Sequence, residues 1–178
     1  MGYNVAVLTS TGPKLQPQDL LSEAQIADVP AHRTTTFENR YQGGNRSQIV
    51  HQRASAISFM STPYSWRAAR VLLLAPVVDE VDPEMASRFP DALVGVAPQG
   101  WLRDWDEKGM VMTHSVSPQS LNLKGHVAVL SEEEVPRKMI DGWIQAFPIL
   151  AISKGAKGVD IYIKGRKFSI PAFSVPVT

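Results

Sequence analysis

Hydrophobic and polar positions along the chain fall into short apolar runs separated by clusters of turn formers. Residues 4–8, Asn4-Val5-Ala6-Val7-Leu8, predict a first strand, and Thr9-Ser10-Thr11-Gly12-Pro13 predicts its end. Between 34 and 52 two β-prone runs, Thr34-Thr35-Thr36-Phe37-Glu38-Asn39-Arg40-Tyr41 and Arg46-Ser47-Gln48-Ile49-Val50-His51-Gln52, flank Gly43-Gly44. They predict a hairpin, because glycine adopts positive φ in a tight turn without steric cost. The hairpin is too polar for a core position, so one of its faces is solvated or turned to a ligand; an ordinary surface hairpin satisfies the same pattern. After Pro63 the chain alternates between apolar runs and amphipathic stretches. Residues 71–76, 92–96, 127–130 and 149–152 predict buried strands, and Asp82-Pro83-Glu84-Met85 reads as an N-cap with proline at the first helical position. Met139, Ile140, Trp143, Ile144 and Phe147 recur at helical spacing and predict a helix over 137–147. Residues 160–164 and 167–170, around Gly165-Arg166, predict a terminal hairpin. The alternation argues for an α/β domain spanning 1–178, a mostly parallel sheet flanked by helices, with 34–52 as a hairpin within it.

Composition narrows the function classes. With 178 residues, 44% hydrophobic and 20% charged, the chain supports one core. A net charge of +1 leaves no broad electrostatic footprint for nucleic acid or an anionic membrane. The absence of cysteine excludes disulfides, thiolate metal sites and a thiol nucleophile, and fits a reducing compartment. The apolar run Val71-Leu72-Leu73-Leu74-Ala75-Pro76-Val77-Val78 falls far short of the roughly 20 residues a membrane-spanning helix needs. The first residues carry no secretory pattern, and Ala6 breaks the myristoylation pattern, so a cytoplasmic location is expected. His32, His51, His114 and His126 are scattered without metal-ligand spacing, and no Gly-x-Ser-x-Gly elbow occurs.

In open α/β sheets ligands gather beyond the carboxyl ends of the strands, which directs attention to 76–79, 97–103, 131–134 and 153–158. Ser153-Lys154-Gly155-Ala156-Lys157-Gly158 offers a hydroxyl, two glycines and two cations suited to polyphosphate, although it lacks the Gly-Lys-Ser/Thr ending of a P-loop. A turn with solvated lysines fits the same residues. Ser131-Glu132-Glu133-Glu134 reads as a capping box, restricted to one turn by Pro136, or as carboxylates that organise Mg²⁺ through water. Trp101, Arg103, Asp104 and Trp105 line a pocket or form an amphipathic turn; burial of both indoles is the expected reading.

Taken in order, these segments resemble the ribokinase-like PfkB family of carbohydrate and nucleoside kinases. Asn4 to Gly12 resembles the family's early strand and loop, and Thr34 to Asn39 with the Gly-Gly hairpin resembles the β-lid over the sugar. Val129-Leu130-Ser131-Glu132-Glu133-Glu134 is similar to the Asn-x-x-Glu motif that places Mg²⁺ and phosphate, with serine at Ser131. Ile152 to Gly158 is similar to the Thr-x-Gly-x-x-Gly nucleotide loop, with serine at Ser153. The resemblance implies a three-layer ribokinase-like fold, Rossmann-like, with a mostly parallel sheet flanked by helices and a small lid. It implies ATP and Mg²⁺ as cofactors, and a sugar or nucleoside as partner. Nucleotide contacts would come from Ser131, Ser153, Lys154, Gly155, Ala156, Lys157 and Gly158, metal or phosphate contact from Glu134, and lid contacts from Thr36, Glu38 and Asn39.

The chain departs from the family where its chemistry is concentrated. The Asp-Thr-x-Gly-Ala-Gly-Asp stretch, with its anion hole and proton-accepting aspartate, does not occur before Thr178, nor does the upstream Gly-Gly sugar-binding region before Asn4. Transfer needs positioning, charge stabilisation and a base. Losing oxyanion donors costs on the order of 10²–10³ in rate and losing a base roughly 10²–10⁴. The expectation is the central portion of a kinase, inactive alone unless Asp79, Asp82 or Asp104 substitutes for the base. A non-catalytic nucleotide- or sugar-binding protein, and a site completed by another chain, are the alternatives. Exposed sheet edges and faces predict a homodimer through the hairpin or the sheet.

Overall fold

The structure, a computed structural model, describes residues 4–43 and 45–173; Gly44 of the predicted hairpin turn and Thr178 lie outside the described residues. The first strand, β1 (Ala6–Thr11), continues through the Thr9-Ser10-Thr11 cluster expected to end it. A short helix, α1 (Pro17–Leu20), leads to β2 (Gln25–Pro30), a strand the pattern did not predict, which pairs parallel with β1 in a separate two-stranded sheet. The polar end of β1 stays in the strand because β2 supplies acceptors. Ser10 Oγ donates to the Val29 carbonyl at 2.8 Å and Thr11 Oγ1 to Asp28 Oδ2 at 2.7 Å. The predicted hairpin forms from β3 (Thr36–Gln42) and β4 (Asn45–Gln52).

The main sheet begins with β5 (Val71–Leu74) and β6 (Leu93–Val96). A two-stranded ribbon follows, β7 (Arg103–Trp105) with β8 (Val111–Thr113), where the pattern predicted only a turn. Three-residue strands are too short to show a period; this pair is held from outside, by a bridge between Ile49 and Met110 and by Val50 N–H donating to the Gly109 carbonyl at 2.8 Å. The chain then supplies β9 (Val127–Ser131), α2 (Ile140–Ala146), β10 (Ile149–Ser153), β11 (Val159–Ile163) and β12 (Arg166–Ile170). The sheet order is β12-β11-β10-β9-β6-β5; β5, β6, β9 and β10 run parallel, and β11 and β12 are antiparallel.

One face of this sheet is the core. Leu74, Val94, Val96, Ala128, Leu130, Leu150 and Ile152 pack there with Phe89, Trp101, Leu102, Trp143 and Phe147. The mostly parallel sheet agrees with the sequence reading, but its helical cover is reduced. Among the described residues the 137–147 helix divides into a 3₁₀ turn at Arg137–Met139 and α2, a 3₁₀ turn at Pro83–Arg88 replaces the helix expected from Pro83, and a further 3₁₀ turn covers Pro98–Leu102. Pro83, Pro98 and Pro136 stand at these starts, where a missing N–H is tolerated but cannot support a preceding turn. On the opposite face Val71, Leu73, Leu93, Val129, Ile163, Phe168 and Ile170 are exposed. The accessible surface is 12150 Å², whereas a compact monomer of this mass exposes about 8,600 Å². No helix among the described residues is long and apolar enough to cross a membrane.

Candidate functional site

The carboxyl ends of β5, β6, β9 and β10 lie along one edge of the sheet, and the loops after them are laced together by side chains that stand just after each strand. After β5, buried Glu80 folds back so that its carboxylate accepts from Val77 N–H at 2.9 and 3.1 Å and from Val78 N–H at 2.6 Å. Next to it the loop after β6 is drawn in: Gly100 N–H donates to the Pro76 carbonyl at 3.0 Å and Asp79 N–H to the Gly100 carbonyl at 3.1 Å. A Cβ on Gly100 would stand 2.4 Å from the Pro76 carbonyl carbon, so only glycine lets the two loops meet. Gln99 then reaches the loop after β9, donating to Glu134 Oε1 at 2.7 Å. Glu134 Oε2 accepts from Ser131 N–H at 2.7 Å, which is half of the predicted capping box.

Arg103, at the start of β7, joins the loop after β5 to the hairpin. Its Nη1 donates to the Val77 carbonyl at 3.0 Å and its Nη2 to Gln48 Oε1 at 3.3 Å, while the guanidinium lies 5.3 Å from the centre of the Phe37 ring. Gln48 Nε2 in turn donates to Asn39 Oδ1 at 2.8 Å. Of the predicted lid residues, Asn39 therefore belongs to the face that meets Arg103. Glu38 lies on the other face by strand alternation, bonded to Arg40 Nε at 2.5 Å and to His51 Nε2 at 2.9 Å. These two partners, Arg40 first, hold its carboxyl below the usual range. Thr36 Oγ1 donates to the Thr34 carbonyl at 3.0 Å. The indoles divide: Trp101 is buried with Nε1 donating to the Val81 carbonyl at 2.7 Å. Trp105, expected to be buried, is half-exposed beside Arg53, because it flanks the open cleft between β4 and the β7–β8 ribbon.

Ser131, Glu132, Glu133, Ser153, Lys154 and Gly155 line an open depression of about 310 Å³ at the ends of β9 and β10. Ser131 and Ser153 are register partners there, and Glu132 N–H donates to the Ser153 carbonyl at 2.9 Å. The adjoining turn, Gly155–Lys157, exposes Gly155, Ala156 and Lys157 to solvent. Gly158 serves another contact: at φ 94 its Cα packs against β12, where a Cβ would stand 2.0 Å from the Ile170 carbonyl oxygen. The two lysines also differ. Lys157 Nζ lies 3.7 Å from Glu132 Oε1 on the surface, whereas Lys154 Nζ turns inward to Asp160 Oδ2 at 3.0 Å.

Asp160 is buried and accepts from Ser169 Oγ at 2.7 Å, Lys167 Nζ at 2.9 Å and Lys154 Nζ at 3.0 Å. Those donors, Ser169 first, hold its carboxyl far below the usual carboxylate range. A depressed carboxyl stabilises the fold above its unfolded pKa of about 3.9 and loses that contribution as pH falls toward the folded value. Asp160→Asn is expected to cost about 2 kcal/mol at neutral pH. The difference in melting temperature from the parent should shrink steadily below about pH 4. Equal melting temperatures at pH 7 would show that the cluster carries no stability.

The oxygen donors of the depression suit a hard cation, yet among the described residues no group of three His, Asp or Glu side chains is placed to hold one. Glu134 is engaged by Gln99 and Ser131, which leaves Glu132 and Glu133 as the exposed carboxylates of the depression. Residues that sequence reasoning did not single out are Glu80, Gln99, Phe37, Arg46 and Gln48. Only the last three had a usable signal, since strand alternation from Asn39 puts Phe37 on its own face, and the hairpin register adds Gln48 and Arg46.

No family model matches the sequence, and no curated protein matches it. Solved structures do. A pyrophosphate-dependent kinase in the ribokinase family superposes with a TM-score of 0.80 at 13% identity, over 99% of this chain and 68% of its own. The fructokinase from Xylella fastidiosa gives 0.65 at 16% identity, over 99% and 63%. The nucleoside kinase from Methanocaldococcus jannaschii gives 0.66 at 16% identity, over 98% and 60%. The chain thus spans roughly two thirds of the length of the first and less of the others. At these identities the likeness speaks to architecture alone, and the chain has the ribokinase-like fold, a mostly parallel sheet with a β-hairpin docked beside its strand ends.

Proposed function

We propose that the chain binds a small sugar or nucleoside beneath the hairpin and a phosphoryl donor at the Ser131–Ser153 depression, as the substrate-cradling part of an ATP-dependent carbohydrate or nucleoside kinase. The observation that carries this reading is the link Asn39–Gln48–Arg103–Val77, which ties the hairpin to the loop at the carboxyl end of β5. Ser153 and exposed Lys157 would meet the donor phosphates, and Mg²⁺ would arrive on those phosphates beside Glu132 and Glu133. The structural neighbours include pyrophosphate-dependent kinases and a nucleoside kinase, so pyrophosphate is the second donor to be tried beside ATP.

The same reading has the chain bind without turning over. Each carboxylate that was a candidate base has a local partner: Asp79 meets Arg53, Asp82 Oδ1 accepts from Glu84 N–H at 2.9 Å, and Asp104 Oδ1 accepts from Trp105 N–H at 2.8 Å. A non-catalytic binding protein, or a site completed by another chain, is the corresponding alternative. The uncovered apolar sheet face supports self-association as a homodimer, to be checked by ultracentrifugation at micromolar concentration. Calorimetric titration with ATP-Mg and pyrophosphate-Mg, beside a coupled assay with sugars and nucleosides, tests the main reading. Donor binding is expected, and Lys157→Glu should weaken it about tenfold through charge reversal at an exposed position. Failure of both donors and all acceptors to bind would refute it, and acceptor-dependent turnover would refute the non-catalytic form.

A further inference from the structure

The underside of the hairpin is cationic in a way that its own residues do not balance. Strand register puts Phe37, Asn39 and Tyr41 of β3 on one face with Gln48 and Arg46 of β4. Gln48 on this face touches Arg103, and Arg46 stands two positions before Gln48 in the same strand, one pleat repeat of roughly 7 Å away. Among the described residues neither guanidinium makes an ion pair. Arg103 is only partly exposed, packed on Phe37, with two of its N–H groups given to neutral oxygens, the Val77 carbonyl and Gln48 Oε1. The acids near it are occupied elsewhere: Glu80 by the Val77 and Val78 amides, Glu134 by Ser131 and Gln99.

A partly buried guanidinium without a counter-charge is costly, and its remaining N–H donors form a fork matched to carboxylate or phosphate. Burial, partly offset by Glu134, pushes the Arg103 pKa down, and the neighbouring charge of Arg46 adds to that push. An oxyanion between the two side chains would relieve both effects.

We propose that Arg103 and Arg46 form an oxyanion subsite beneath the hairpin, which takes a carboxylate or phosphate group. The subsite rests on the reading of the hairpin as a roof over the acceptor, and it requires that a bound ligand present an acidic group at that place. Two sources of the anion are distinguishable: an acidic group on a polyol, or a phosphate of the donor itself.

The test is calorimetry on the whole chain at low ionic strength, with D-gluconate, inorganic pyrophosphate, neutral myo-inositol and ATP-Mg as separate titrants. Parent, Arg46→Gln, Arg103→Gln and Arg103→Lys proteins are compared. Gluconate binding that falls tenfold or more in Arg46→Gln and in Arg103→Gln, with only partial recovery in Arg103→Lys, identifies an acid on the acceptor. The same pattern with pyrophosphate, and not with gluconate, assigns the subsite to the donor. Arg46 is exposed, so its variant keeps the test valid even where Arg103→Gln melts early. Affinities for gluconate, pyrophosphate and ATP-Mg unchanged in Arg46→Gln and in a folded Arg103→Gln, or no binding of any of these three to the parent while myo-inositol binds, would overturn the subsite and leave the broader reading standing. Absence of binding by all four titrants would overturn both.

Discussion

Trp143→Ala is expected to destabilise the chain by about 3–5 kcal/mol, the range for truncating a fully buried tryptophan. For a domain of this length that is a fall of about 6–20 °C in melting temperature. Trp143 has no exposed surface and stacks on Phe147 with ring centres 5.8 Å apart, against the buried face of the sheet. The seven-residue helix α2 that carries it is too short to persist by propensity, so its existence depends on this packing. Because α2 connects β9 to β10, its loss should also slacken the Ser131–Ser153 depression and weaken donor binding. Trp143→Phe, which keeps most of the apolar contact, should recover over half of the loss. Circular dichroism melts decide the matter, and a fall of under 3 °C for Trp143→Ala would contradict this account of α2.

Gly100→Ala should cost about 3 kcal/mol, the upper part of the range for overpacking, because the added methyl meets backbone and not a side chain that can rotate away. The Pro76 carbonyl carbon, Val77 nitrogen and Pro76 oxygen all lie within 2.6 Å of the ideal Cβ position. Relief requires the loops after β5 and β6 to part, which breaks two backbone hydrogen bonds and displaces Val77, the acceptor for Arg103. Affinity for both acceptor and donor should fall together, unlike the selective effect of a surface variant such as Lys157→Glu. Gly142→Ala supplies the control. Its Cβ would find only Gln119 Oε1, at 3.9 Å, and alanine in a helix gains about 0.5–1 kcal/mol over glycine. A melting temperature for Gly100→Ala at or above that of Gly142→Ala would disprove the close-approach argument.

The parts of the fold readable in the residue pattern were those where one period dominates. The strands at 71–76, 92–96, 127–130 and 149–152 were visible because both of their faces are apolar, and the hairpin because a glycine turn divides two β-prone runs. β2 escaped because Gln25-Ile26-Ala27-Asp28-Val29-Pro30 owes its strand to pairing with β1, not to its own alternation. The β7–β8 ribbon escaped for a similar reason, being defined by contacts with β4. Of the site, the Ser131 and Ser153 loops were legible as strand-end segments. The roles of Glu80 and Gln99 were not, because each depends on which loop folds beside which, and polar residues in loops carry no period. Arg103 reads in the sequence as the end of the 97–103 segment and part of a tryptophan-bearing turn, whereas its link to the hairpin joins residues 55 apart.

The uncovered face of the six-stranded sheet bears on how steeply the chain responds to denaturant. The slope of unfolding free energy against urea follows the area newly exposed on unfolding, and apolar side chains already in water add nothing to it. Val71, Leu73, Leu93 and Val129 are such side chains. The chain should therefore show a shallower urea transition, and a smaller heat-capacity increment, than its residue count implies. Anything that settles on that face, a second copy included, would steepen the transition as well as shift it. The slope is thus a gauge of how far that face is occupied, whatever molecule occupies it.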